Sequence, residues 1–226
     1  QAGYYNVTSG NNTALGYGAL LTNTAGSNTA VGWNVLRVNT TGNANTAMGA
    51  DAPGFVSGSA LRSNTTGSQN SAFGSSGLTS NTTGSYNVAL GTAALYANTT
   101  ASNNTAVGHS ALKANTTGLQ NTAVGKESLV TNTTGSYNTA SGREAMKYNT
   151  TGERNSAFGR TSLTSNTTGS YNVAVGMQAL NAATTAVKNT AVGYDSLLST
   201  TTGEYNTALG VDTLKSNVTG HASVAI

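Results

Sequence analysis

Residues 121–137 read "NTAVGKESLVTNTTGSY", and residues 138–154 read "NTASGREAMKYNTTGER". Aligning the whole chain on Asn-Thr/Ser/Val-Ala-x-Gly puts the first Asn at 12, 28, 45, 70, 87, 104, 121, 138, 155, 172, 189 and 206. From Asn70 onward every step is 17 residues. With the positions of one unit numbered 1 to 17, position 3 is Ala and position 5 is Gly in all twelve units. Position 9 is Leu except at Met146, and positions 12 to 15 usually read Asn-Thr-Thr-Gly. A period this regular identifies a repeat architecture before any single residue is weighed.

Repeats that contain a helix need about 20 residues or more. Seventeen residues, with short Thr-Ala-Val runs between Gly and Asn turns, fit one winding of a β-solenoid. The expected fold is therefore all-β: a parallel β-solenoid, or β-roll, forming a single repeat domain over residues 1–226. Its coils, about twelve of them, would stack ~4.8 Å apart. Continuing the register past Asn206 sets Ser223-Val224-Ala225-Ile226 at the start of a thirteenth coil, and Asn6-Val7-Thr8 aligns with Asn217-Val218-Thr219. Both ends are thus expected to fall inside a coil of a longer fibre.

Charged residues make up 8% of the chain, against about 25% in ordinary soluble domains. The net charge of +3 is too small to argue nucleic-acid binding or charge-driven disorder. There is no cysteine, which excludes disulfides, thiolate metal sites and thiol nucleophiles. No apolar run approaches the ~18 residues of a membrane span, and no basic-then-apolar segment opens the chain. No membrane insertion is expected in this segment, and an export signal would lie outside it.

Apart from Asp51, the charged residues fall only at positions 6, 7, 10, 16 and 17. These columns are expected to be the solvated face, since unpaired charges are seldom buried. The strand at positions 2 to 4 has two apolar sides. Thr or Val and then Val or Leu lie on one, and Ala lies on the other. A single chain would leave one side in water, so a second buried face is expected. The predicted contact between chains is the alanine column, Ala89, Ala106, Ala123, Ala140, Ala157 and Ala174. Asn at positions 1 and 12 suits stacked solenoid corners, because Asn bonds its own backbone and tolerates left-handed conformations. The Asn-Thr-Thr triplets also match a glycosylation sequon, but a corner role accounts for them without a sugar.

The runs Thr122 to Gly125 and Ser223 to Ile226, with their equivalents in every coil, resemble the head repeats of trimeric autotransporter adhesins, the YadA-like heads. Similar repeats occur in bacteriophage tail fibres. Those heads carry a Ser-Val-Ala-Ile-Gly type motif on each turn of a left-handed parallel β-roll, with three chains side by side. The present coil is longer, the extra length lying around Asn-Thr-Thr-Gly. The resemblance implies a homotrimer, an extracellular place on a bacterial surface or virion tail fibre, and a role in adhesion or host recognition. It carries no catalytic residues.

Candidate chemistry is sparse. His109 and His221 stand apart, with no acidic neighbour in sequence and no metal-ligand spacing. Gly16-Tyr17-Gly18 is a turn glycine beside a variable residue, not a phosphate loop. No enzyme, cofactor or metal is expected. Three features are candidates for binding a surface glycan or protein receptor. The step from Asn45 to Asn70 is 25 residues, so residues 50–57 form a loop insertion with Asp51, Pro53 and Phe55, and insertions in solenoids often lie on a binding face. Tyr17 and Trp33 share position 6 on neighbouring coils and would stack as a sugar platform. His109, Lys126, Arg143 and Arg160 continue that column and would attract acidic glycans, although Glu127 and Glu144 stand next to it. A passive spacer shaft is the alternative. An ice-binding solenoid is a weaker one, since it needs two outward threonines on each strand.

Overall fold

In the computed structural model, which describes residues 2–3, 10–49 and 58–226, each of the twelve Thr/Ser/Val-Ala-x runs is a three-residue strand. The insertion 50–57, with Asp51, Pro53 and Phe55, and the run Asn6-Val7-Thr8 lie outside the described residues. The fold is an all-β parallel solenoid of about twelve turns with 17-residue coils. The chain divides into two compact units, Gln1–Thr117 and Gly118–Ile226. The first holds β1 (Thr13–Leu15), β2 (Thr29–Val31), β3 (Thr46–Met48), β4 (Ser71–Phe73), β5 (Val88–Leu90) and β6 (Thr105–Val107). The second holds β7 (Thr122–Val124), β8 (Thr139–Ser141), β9 (Ser156–Phe158), β10 (Val173–Val175), β11 (Thr190–Val192), β12 (Thr207–Leu209) and β13 (Val224–Ala225).

Within each unit the strands pair in chain order, parallel, with alanine opposite alanine. Pairing continues through the turns. Leu129 N–H donates to the Ala145 carbonyl at 3.0 Å, Met146 to Ser162 at 3.0 Å, and Thr133 to Thr150 at 2.9 Å. A three-residue strand alone is marginal, but a coil bonded to its neighbours all round its perimeter is not.

The interior is narrow. Position 3 alanines and position 9 leucines are fully buried in both units, together with the residue at position 8, except at Ala14, Thr213, Leu214 and Ala225, which are half-buried. A methyl placed on Gly77, at position 8, would lie 3.7 Å from Ala72 Cβ and 3.8 Å from Ala89 Cβ. Positions 3 and 8 therefore face each other at contact distance. With a methyl at position 8 the two walls are already in contact, which favours a side chain no larger than alanine at position 3; position 8 itself admits one larger buried residue, Val35.

Two consecutive residues, such as Ala145 and Met146 or Ala179 and Leu180, both point inward. An extended strand cannot do this, because its side chains alternate. The chain manages it by setting position 9 in the left-handed region: φ is 51° at Leu129 and Met146 and 49° at Leu163. Such a conformation costs about 1–2 kcal/mol for a residue with a Cβ. Burying the leucine side chain returns about 1.5–3 kcal/mol.

Asparagine supplies the corners. At position 12, Asn149 Nδ2 donates to Asn132 Oδ1 at 2.7 Å and Asn166 Nδ2 to Asn149 Oδ1 at 2.7 Å. Each also donates to its own position 15 carbonyl, as Asn149 does to Gly152 at 3.1 Å. At position 1, Asn155 Oδ1 accepts from the Asn172 backbone N–H at 2.9 Å and from Asn172 Nδ2 at 3.1 Å. Apart from Asn12 and Asn217, which are half-buried, the asparagines of both columns are buried, so most of the sequon-like triplets hold their amides inside the coil.

Candidate functional site

The alanine column requires a correction. Ala89, Ala106, Ala123, Ala140, Ala157 and Ala174 are fully buried within a single chain, covered by the opposite wall of their own coil. They are not available to a neighbouring chain. The outward side chains of each strand are those at positions 2 and 4. Position 4 is the more apolar, with Leu90 48% exposed in the first unit, and Phe158 43% and Leu209 48% exposed in the second. Among the described residues, no strand carries two outward threonines, because Thr at position 2 is followed by Val, Leu, Met or Ser at position 4.

In the first unit, Tyr17 and Trp33 stack with ring centroids 4.5 Å apart and planes 23° from parallel. A cleft of about 280 Å³ opens beside Tyr17, lined among the described residues by Gly18, Leu21 and Arg37 as well. His109, in the same unit, is exposed.

In the second unit, Lys126, Arg143 and Arg160 are exposed on consecutive coils. Two of the three are offset by neighbours: Lys126 Nζ lies 3.6 Å from Glu127 Oε1, and Arg143 Nη2 lies 3.0 Å from Glu144 Oε1. Arg160 has no ion pair among the described residues. Glu127 is also bound by Lys147 Nζ at 2.8 Å. That hydrogen bond, more than any other influence, holds the Glu127 carboxyl below its ordinary range and raises the Lys147 ammonium.

The charged columns are not uniformly solvated. Asp195 at position 7 is only 5% exposed, and its Oδ2 accepts from Lys215 Nζ at 2.8 Å. Lys215 also reaches Asp212 Oδ1 at 2.8 Å, and these two hydrogen bonds push its pKa up strongly. Asp212, at position 7 one coil on with a φ similar to that of Asp195, keeps a side chain 54% exposed.

Position 17 holds a feature that reading the charges alone missed. Tyr137, Arg154, Tyr171, Lys188 and Tyr205 occupy it on successive coils of the second unit. The Arg154 guanidinium carbon lies 5.0 Å from the Tyr137 ring centroid and 5.5 Å from that of Tyr171. Lys188 Nζ lies 4.8 Å from the Tyr205 centroid. The signal in the sequence was tyrosine at every second position 17, with a cation between.

Among the described residues, no three His, Asp or Glu side chains gather as metal ligands would, and no helix is long and apolar enough to cross a membrane. Comparison with protein-family models, curated proteins and solved structures finds no match to this chain.

Proposed function

We propose that this solenoid is a structural and receptor-recognition module of a trimeric extracellular fibre, an adhesin head or a phage tail fibre. It would present surface columns and loops to a cell-surface glycan or protein. The observation that carries the reading is the outward strand face. Its position 4 column of Leu, Val, Met and Phe remains exposed or half-buried although the coil interior is already closed by Ala and Leu. Repeated apolar side chains on a flat face favour burial against another surface. The need for a partner comes from that face, whereas the number three and the extracellular place come from the likeness to adhesin head repeats.

A spacer shaft is the second reading, favoured by the pairing of Lys126 with Glu127 and of Arg143 with Glu144. The test is the solution mass of residues 1–226 by light scattering after size exclusion, with Phe158→Glu/Val175→Glu alongside. Three times the 22.6 kDa chain, falling to one chain in the variant, supports the trimer. A folded wild-type monomer overturns it. A trimer that captures no ligand from glycan and surface-protein screens is the spacer.

A further inference from the structure

The tyrosine and cation column at position 17 is exposed and internally connected. Tyr137, Tyr171 and Tyr205 are 47%, 50% and 53% exposed. Arg154 Nη1 donates to Tyr171 Oη at 3.2 Å, and Lys188 Nζ donates to Tyr205 Oη at 3.0 Å. Each of these phenol oxygens is an acceptor within the column, so its own O–H is left to donate outward. Arg154 also meets Glu153 Oε2 at 3.3 Å; Lys188 makes no ion pair among the described residues, although Glu204, at position 16 of the next coil, acts on it through space. The column therefore shows solvent a line of N–H and O–H donors in which the Arg154 charge is partly offset by Glu153 and Lys188 is the cation without an ion pair.

We infer that this column, Tyr137 to Tyr205, is a binding track for a linear acidic polysaccharide with one carboxylate or sulfate per disaccharide. The inference rests on the reading of the chain as a recognition module and names the ligand class for it. Spacing decides the class. Tyrosines and cations each recur every second coil, roughly 9.5 Å apart at the coil separation of a parallel ladder. That is close to the length of one disaccharide in an extended pyranose chain, so an anion on alternate sugars meets Arg154 and then Lys188. An extended acidic peptide repeats its same-side groups about every 6.6 Å and falls out of step. Single-stranded nucleic acid binds such surfaces by stacking bases on free aromatic faces. Here each ring already has a guanidinium or ammonium group beside it, which leaves at most one face per tyrosine for a base.

The test is calorimetric titration of the 226-residue chain with hyaluronan oligosaccharides of defined length, against neutral dextran and oligothymidylate. Hyaluronan is expected to bind, and dextran and oligothymidylate are not. Arg154→Gln/Lys188→Gln should weaken binding on the order of tenfold or more, since charge-assisted bonds are lost. Tyr171→Ala should weaken it too. Lys113→Gln, which removes a charge elsewhere, should not. Melting curves for each variant establish that the coil is intact. Equal affinity for hyaluronan and dextran overturns the inference, as does a preference for oligothymidylate. Unchanged hyaluronan binding by a folded Arg154→Gln/Lys188→Gln variant overturns the track while leaving the recognition module standing. No binding by any glycan or surface protein removes both.

Discussion

Asn166 Oδ1 is buried without a partner because the residue one coil on, at the position from which Asn166 itself bonds Asn149, is Ala183. Two coils further, Asn217 Nδ2 is buried without a partner for the mirrored reason: the residue before it in the column is Thr200. The two orphans mark the ends of a two-coil gap in the asparagine ladder of the second unit.

Filling that gap should stabilise the protein. In Ala183→Asn/Thr200→Asn the ladder would run unbroken from Asn166 to Asn217, at the loss of the Thr200 Oγ1 bond to the Asn217 carbonyl. Each buried orphan costs about 1–3 kcal/mol, so a gain of about 2–4 kcal/mol is expected in urea denaturation. Ala183→Asn alone should give less, because it moves the unpaired oxygen on by one coil. No gain from the double variant would mean that the gap is satisfied by some other group.

The left-handed leucines make shape matter more than volume. Leu129→Met should cost under about 1.5 kcal/mol, as volume-conserving swaps do, and Met146 already serves one coil on. Leu129→Ala should cost about 2–5 kcal/mol. Leu129→Ile, equal in volume, should cost clearly more than Met, because a β-branched side chain is badly strained at a φ of 51°. Similar costs for Ile and Met would contradict the role given to the backbone.

One glycine-to-alanine change should harm and another should help. Gly142 has φ 142°, and a Cβ there would press into the Gly159 carbonyl of the next coil. Gly142→Ala is therefore expected to cost at least about 3 kcal/mol. Gly77 has no positive φ, and its added methyl meets only ordinary contacts at 3.6–3.8 Å. Gly77→Ala should gain about 0.4–1 kcal/mol and raise Tm by about 1–4 °C. Thermal melts of the two variants decide it.

Acid should act through Glu127. Its carboxyl ionises more readily in the folded chain than at its ordinary 4.5, chiefly through the Lys147 hydrogen bond. The contribution of the pair is therefore whole above pH 4.5 and drains as the pH falls through the lowered value. Lys147 mirrors this, whole below 10.5 and lost as the pH rises through its raised value. Glu127→Gln should flatten the fall in Tm below pH 4.5, and moderate salt should shrink the difference. An unchanged acid slope would show that the pair contributes nothing.

The candidate surface was partly legible in the sequence. The Tyr17–Trp33 stack and the neutralising of Lys126 and Arg143 by adjacent glutamates follow from residues sharing or adjoining a column, which the period alone reveals. The cation and tyrosine track was missed because it needs two facts together: which residues share position 17, and that its side chains stand outward. Asp195 is buried rather than solvated, which charge type alone does not show: Lys215 of the next coil reaches back to bind it.

The sequence by itself determined the solenoid, its parallel register and its asparagine corners. A 17-residue period with Ala and Gly at fixed places leaves few ways to pair backbone donors with acceptors. Only the tertiary structure decided which side of the strand is inside. Alternation puts Ala on one face and Thr and Val on the other, and both sets are apolar enough to bury. The choice falls to the width of the coil, where a methyl at position 8 already touches the position 3 alanines and Ala fits the inner side better than Val or Leu. The larger side chains are turned outward.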